Sequence, residues 1–281
     1  MKSFHIDCEL EYDVAQQTLF IFNLAVPSTP DQRVLCEAIT PRPDVPVDEF
    51  GDASGINRFL RLNVPAGPFS MRYLAAVEVD APVVDCNADR VPLATVVPEV
   101  IPYLLSSRYC EVEPLFELAC GEFGNIVPGH AQVRAVCQWI RDNIAYRVGT
   151  SSPTTTSRDV LANRAGVCRD FAHLAIALCR ALNIPARFVT GYTRYEDPPQ
   201  DFHAVVEAYL GSGWQLFDPT ELAPIDSIVR IGTGRDAADV AFATFFGSAR
   251  LRRLSPLVEP AGNAPALAQL QTPTSGVFLT A

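Results

Sequence analysis

The period of the apolar pattern changes near residue 107, and that change limits the chain to a β-rich part followed by a mixed one. Before it, LEYDV, TLFIFNLAV, RVLCEAI, FLRLNV and FSMRYLAAVEVD are short runs rich in branched and aromatic residues, several of them alternating. Alternation turns one face of a strand to a core and the other to water, and PSTPDQ and DEFGDASG punctuate the runs. Residues 1–80 are therefore expected to form a small antiparallel β-sandwich. Residues 81–107, which include APVVDCNADRVPLATVVPEVIPYLL, are too apolar for a loose tether and read as an ordered connector.

Beyond it, apolar residues recur at three and four. EPLFELACGEF is a short helical candidate, and PGHAQVRAVCQWIRDNIAY puts Val133, Val136, Cys137, Ile140 and Ile144 on one face. TSRDVLANRAG gives a third helix, with Ser157 the expected N-cap and Gly166 the expected stop. In GVCRDFAHLAIALCRALNIPARF a helix opens at Cys168, turns Phe171, Leu174, Ala175, Leu178, Cys179 and Leu182 inward, and ends at Pro185. ARFVTGYTR, HAVVEAYL and WQLFDPT then read as strands. The fold class is α+β: residues 108–260 are expected to pack helices on an antiparallel sheet, and 261–281 form a C-terminal extension.

A net charge of −10 with four histidines argues against nucleic acid and anionic membrane surfaces as partners. The start, MKSFHIDCELEYD, lacks a basic and then apolar leader, and no window of about 18 apolar residues exists, so a cytoplasmic location is expected. Eight cysteines in such a chain read as reduced, mostly buried thiols. There is no CxxC, and the i, i+5 spacing of Cys168 and His173 spreads them off one helical face, so no metal or cofactor is expected.

Cys168 stands out because of its position. Amides in the first turn of a helix lack intrahelical partners and the dipole is positive there, which favours a thiolate over a thiol. The same amides can donate to an oxyanion, and Gly166 would let a substrate backbone approach. Cys179, on the apolar side of the same helix, reads as core. Downstream, His203 opens one strand and Asp218 closes the next, with GSG between them. If Gly211 and Ser212 make a two-residue turn, Leu210 pairs with Gly213 and Asp218 falls opposite Val205, one diagonal step from His203 on the same face. A three-residue turn would send Asp218 to the other face unless a bulge intervened. The first geometry lets a carboxylate hold one ring nitrogen of an imidazole while the other faces a thiol.

RAGVCRDFAHLAIALCRALNIPARFVTGY, DFHAVVEAYL and GWQLFDPT together resemble the transglutaminase-like superfamily, a papain-like cysteine fold, over about residues 105–235. TLFIFNLAVPSTPDQRVLCEAITPRPDV resembles the β-rich N-terminal domain of bacterial members, and GRDAADV their C-terminal motif. The resemblance implies Cys168 as nucleophile, His203 as general base and acid, and Asp218 as the group that orients the imidazole. It implies acyl transfer from a peptide or protein amide through a thioester, resolved by water in a peptidase or amidase, or by an amine in a transferase. A non-catalytic peptide-binding scaffold is the rival reading, which the intact Cys, His and Asp set disfavours. Val205 stands where bacterial relatives usually carry Trp, and no oxyanion-hole side chain can be assigned. Asp170 is read as satisfying the helix dipole and His173 as a packed histidine. Asp236 and Asp239 either border the cleft or hold a turn with Arg235.

Overall fold

The computed structural model describes residues 1–261 apart from 54, 81, 83 and 212, so the extension expected at 261–281 lies almost wholly outside the described residues. The first part is built from β1 (Lys2–Val14), β2 (Thr18–Phe22), β3 (Gln32–Arg42), β4 (Asp48–Gly51), β5 (Arg58–Val64) and β6 (Gly67–Val79). Strand β1 shows why they stack. Phe4, Ile6, Cys8, Leu10, Tyr12 and Val14 are buried, while the residues between them face outward. Inside, Tyr12 meets Phe20 edge-on at 5.1 Å, and Phe20 stacks on Phe22 at 5.3 Å. Strand β4 falls within a stretch that reads as a break, because all four of its residues are exposed and carry no alternation.

The second part contains α1 (Phe116–Phe123), α2 (His130–Asn143), β7 (Ala145–Tyr146), α3 (Ser157–Asn163), β8 (Ala165–Gly166), α4 (Cys168–Ala181), β9 (Ala186–Tyr192), β10 (His203–Leu210), β11 (Gly213–Phe217) and β12 (Val229–Gly234). The last four strands make an antiparallel sheet in the order β11-β10-β9-β12. The chain then returns to the first part as β13 (Ala243–Phe246) and β14 (Ala249–Pro260). Their pairing with β2 and β1 gives two four-stranded sheets, β14-β1-β6-β3 and β13-β2-β5-β4. Residues 243–260, which the linear pattern groups with the second part, thus complete the sandwich. Strands β1 and β2 would otherwise leave unpaired edges, and pairing across so long a separation leaves no local trace.

Helix α4 is the hub. Every one of its residues except Arg169 is buried, against an expectation of one apolar face. Neighbours α1, α2 and α3 and the sheet surround it. Its polar residues are covered rather than solvated. The Arg180 guanidinium donates to the carbonyl oxygens of Ala186, Leu105 and Arg235 at 2.9, 2.9 and 2.6 Å. Helix α3 is capped by Thr156 rather than Ser157, and its end is Arg164 at φ 53°, not Gly166.

The connector is tied to the site-bearing elements. The Ala88 carbonyl accepts from His130 N at 2.9 Å, and Asp89 O accepts from Gly211 N at 2.9 Å, at the turn of the β10–β11 hairpin. Gly129 must be glycine there: its φ is +110°, and a Cβ would lie 2.2 Å from Ala88 O. The sandwich also touches the sheet, since Tyr192 Oη donates to Leu24 O at 2.9 Å. Among the described residues no helix is long and apolar enough to cross a membrane.

Candidate active site

Cys168 is the first residue of α4, and its preceding residue, Val167, is extended. The helix start is locked by Asp170, fully buried, whose carboxylate accepts from Val167 N and from Ser151 Oγ, both at 2.9 Å. Burial raises the pKa of this carboxyl, against those two bonds. Asp170 is therefore an anchor for the 151–152 segment as well as a first-turn acid. Gly166 has a different reason from the expected one: a Cβ there would lie 2.7 Å from Asp170 Cβ.

The hairpin takes the two-residue form. Leu210 pairs with Gly213 and Val206 with Phe217, so Asp218 follows opposite Val205. His203 Nε2 lies 2.8 Å from Asp218 Oδ2, and both residues are buried. The other carboxylate oxygen accepts from Thr220 N at 2.8 Å and Thr220 Oγ1 at 2.7 Å, which fixes its rotamer. Burial disfavours a charged imidazole, but the bond to Asp218 and then the Cys168 sulfur outweigh it, raising the pKa of His203 to about 10. Burial likewise opposes ionisation of Asp218, and His203 and Thr220 overcome it, so this carboxyl sits below its ordinary value.

The second ring nitrogen, His203 Nδ1, is buried and has no aligned hydrogen-bond partner. The Cys168 thiol lies within interaction range of this imidazole. Its sulfur points at Phe202 O, 3.7 Å away. Misalignment of a resting thiol is common before substrate binds, and a rotation about χ1 is a small motion. Phe202 is held by the sandwich side, against Tyr192 at 5.4 Å and Phe242 at 5.2 Å. Tyr195 closes the site, edge-on to His203 at 5.7 Å, with its hydroxyl bonded to the Asp201 backbone.

Tyr146 is the functional candidate that sequence reasoning missed. Strand β7 pairs in parallel with β8, Tyr146 opposite Gly166, and Arg147 N donates to Gly166 O at 2.9 Å. That pairing sets the phenol beside both the amide and the thiol of Cys168. Burial first, then the neighbouring Cys168 sulfur, raises its pKa, so the hydroxyl keeps its proton as a donor. The signal was the aromatic that ends DNIAY, readable only with the α2–β7–β8 geometry in hand.

Other candidates find structural employment. His173 stacks on Tyr109 at 5.0 Å and accepts from Ala237 N at 3.1 Å, and burial holds it neutral. Asp236 accepts from Tyr109 N and Ala238 N, each at 2.9 Å, while Asp239 pairs with Arg235 at 2.9 Å. Both acids therefore hold loops. Burial pushes the thiols of Cys8, Cys110 and Cys137 up to about 12, and that of Cys179 up as well. Among the described residues no group of three or more His, Cys, Asp or Glu side chains converges as a metal-ligand set.

A cysteine at the start of a buried central helix, within range of an imidazole held by a carboxylate on an adjoining hairpin, is the arrangement of cysteine-dependent enzymes of papain-like build. Residues 123–219 match the transglutaminase-like superfamily, and residues 1–98 match the bacterial transglutaminase N-terminal domain. The chain belongs to the transglutaminase-like superfamily. A crystal structure of a candidate cysteine protease from Cytophaga hutchinsonii is 41% identical and superposes with a TM-score of 0.89, over 94% of this chain and 92% of that one. An uncharacterised Mycobacterium leprae protein is 36% identical over 120 residues, which is 39% of this chain and 42% of its own length. One from Mycobacterium tuberculosis is 34% identical over 122 residues, 38% of this chain and 39% of its own. The chain thus aligns with about two-fifths of the length of these curated relatives.

Proposed function

We propose that this chain is a thiol acyl-transfer enzyme that cleaves an amide bond of a peptide or protein, with Cys168 as nucleophile, His203 as base and acid, and Asp218 as orienter. The observation that carries the reading is the 2.8 Å bond between Asp218 and His203 Nε2, which leaves Nδ1 free for the thiol. His203 Nδ1 takes the Cys168 proton, and the thiolate attacks the amide carbonyl. The tetrahedral oxyanion is met by the Cys168 amide and the Tyr146 hydroxyl, which approach each other beside the sulfur. As the C–N bond breaks, Nδ1–H protonates the leaving amine, and a thioester remains. Water then gives up a proton to His203 and attacks the thioester, and as the C–S bond breaks His203 returns that proton to the Cys168 sulfur, releasing the carboxylic acid and restoring the thiol.

Hydrolysis rather than transamidation is supported by the protease description of the 41%-identical neighbour. The test is intact-mass analysis of the products of a peptide amide, with and without millimolar methylamine. Hydrolysis yields the free acid in both; a product that becomes the N-methyl amide in proportion to methylamine would instead make the chain a transferase. In the same assay Tyr146→Phe is expected to lower kcat by about 10²-fold with little change in KM, as expected for loss of one oxyanion donor. The Phe ring keeps the contact with Phe171 at 5.7 Å, so folding is not at stake.

A further inference from the structure

A groove of about 550 Å³ opens between α2 and the loop that follows β11, lined in part by Asp218 but by neither Cys168 nor His203. One wall is apolar, with Phe217, Leu222, Pro224 and Ile225. The other, from α2, presents His130, Arg134 and Arg141. Their charges are not balanced alike. Arg141 pairs with Glu221 across the groove at 3.1 Å, and the Asp218 carboxylate is already taken by His203 and Thr220. Among the described residues Arg134 has no ion pair, and it is exposed at the rim. His130 lies deeper, 5% exposed, its ring against Phe217 at 5.1 Å. Burial, then Arg134, lowers the His130 pKa against the pull of Asp85, so at neutral pH the ring is an uncharged donor. No protein group among the described residues bonds its ring nitrogens, and they are not sealed from the solvent of the groove.

We propose that this groove is a second binding site, distinct from the thiol cleft, for a carboxylate with an apolar body. The carboxylate takes a charge-assisted bond from Arg134 and a bond from the His130 ring, and the body lies on Phe217, Leu222 and Ile225. An amine would meet the uncompensated arginine, and a neutral ligand would leave both polar groups unused. The groove volume suits a ligand of about a dozen heavy atoms. A free acid and the C-terminal end of a peptide share this chemistry.

The test is calorimetric titration of the full chain with 4-phenylbutyrate, its alcohol and its amine analogues, and N-acetyl-leucyl-phenylalanine. The carboxylates are expected to bind at least about tenfold tighter than the alcohol and amine, which is the weight of one charge-assisted hydrogen bond. The tighter of the two carboxylates names the source. Arg134→Gln, at an exposed position that does not threaten folding, should remove that tenfold preference and leave the alcohol unchanged. Cys168→Ala should bind as the native chain does, because thiol chemistry plays no part; the outcome is thus separable from the fate of the enzymatic reading. Equal binding of acid, alcohol and amine, no effect of Arg134→Gln, or displacement of phenylbutyrate on alkylation of Cys168 would overturn the proposal.

Discussion

Cys168→Ala is expected to abolish amide cleavage, with kcat falling on the order of 10⁶-fold, as when the nucleophile of an acyl-transfer enzyme is removed. None of the four other deeply buried thiols is placed to substitute. Cys8, Cys110, Cys137 and Cys179 are buried where desolvation opposes ionisation, and none opens a helix beside an imidazole. A thioester adduct is expected by intact mass with the native chain and should be absent in the variant. Folding should survive: the sulfur's contact with Phe202 O is a weak one at 3.7 Å, and alanine is a good helix former. A melting temperature within a few degrees of the native one separates chemical from structural loss.

Asp218→Asn should cost about 10⁴-fold in kcat while leaving the shape of the site intact. The amide can still meet Thr220, but it presents His203 Nε2 with a neutral partner and no longer fixes which ring nitrogen carries the proton. The pH dependence of stability supplies an independent reading. The folded-state pKa of His203 is raised, so its contribution to stability is full below the unfolded value near 6.5 and fades as pH rises toward about 10. Asp218 works in the opposite sense, contributing above its unfolded value near 4 and losing that contribution as pH falls. In Asp218→Asn the decline in unfolding free energy between pH 6.5 and 10 should be flatter than in the native chain, measured by urea titration at both ends.

His203 and Asp218 were readable because a two-residue turn fixes the face of every side chain on a short hairpin, and the observed pairing of Leu210 with Gly213 is that turn. Cys168 was readable from its place between Gly166 and an apolar helix. Tyr146 was not, since its position depends on a two-residue parallel pairing with Gly166 that no periodicity announces. The polar side of α4 misled in an instructive way. Residues such as Arg180 imply solvent in a helical pattern, whereas here backbone carbonyls from three segments replace water. For β13 and β14 the partners lie more than 200 residues earlier, and their exposed outer faces dilute any alternation.

The central claim is that one thiol of eight is activated by an imidazole held in place by a carboxylate. Mass-spectrometric rates of carbamidomethylation by iodoacetamide at pH 6.5 test it at each cysteine, with Cys86 and Cys120 as exposed controls. Cys168 should react about 100-fold faster than either control despite being 8% exposed. Labelling of Cys168 at or below the rate of Cys120 would contradict the account.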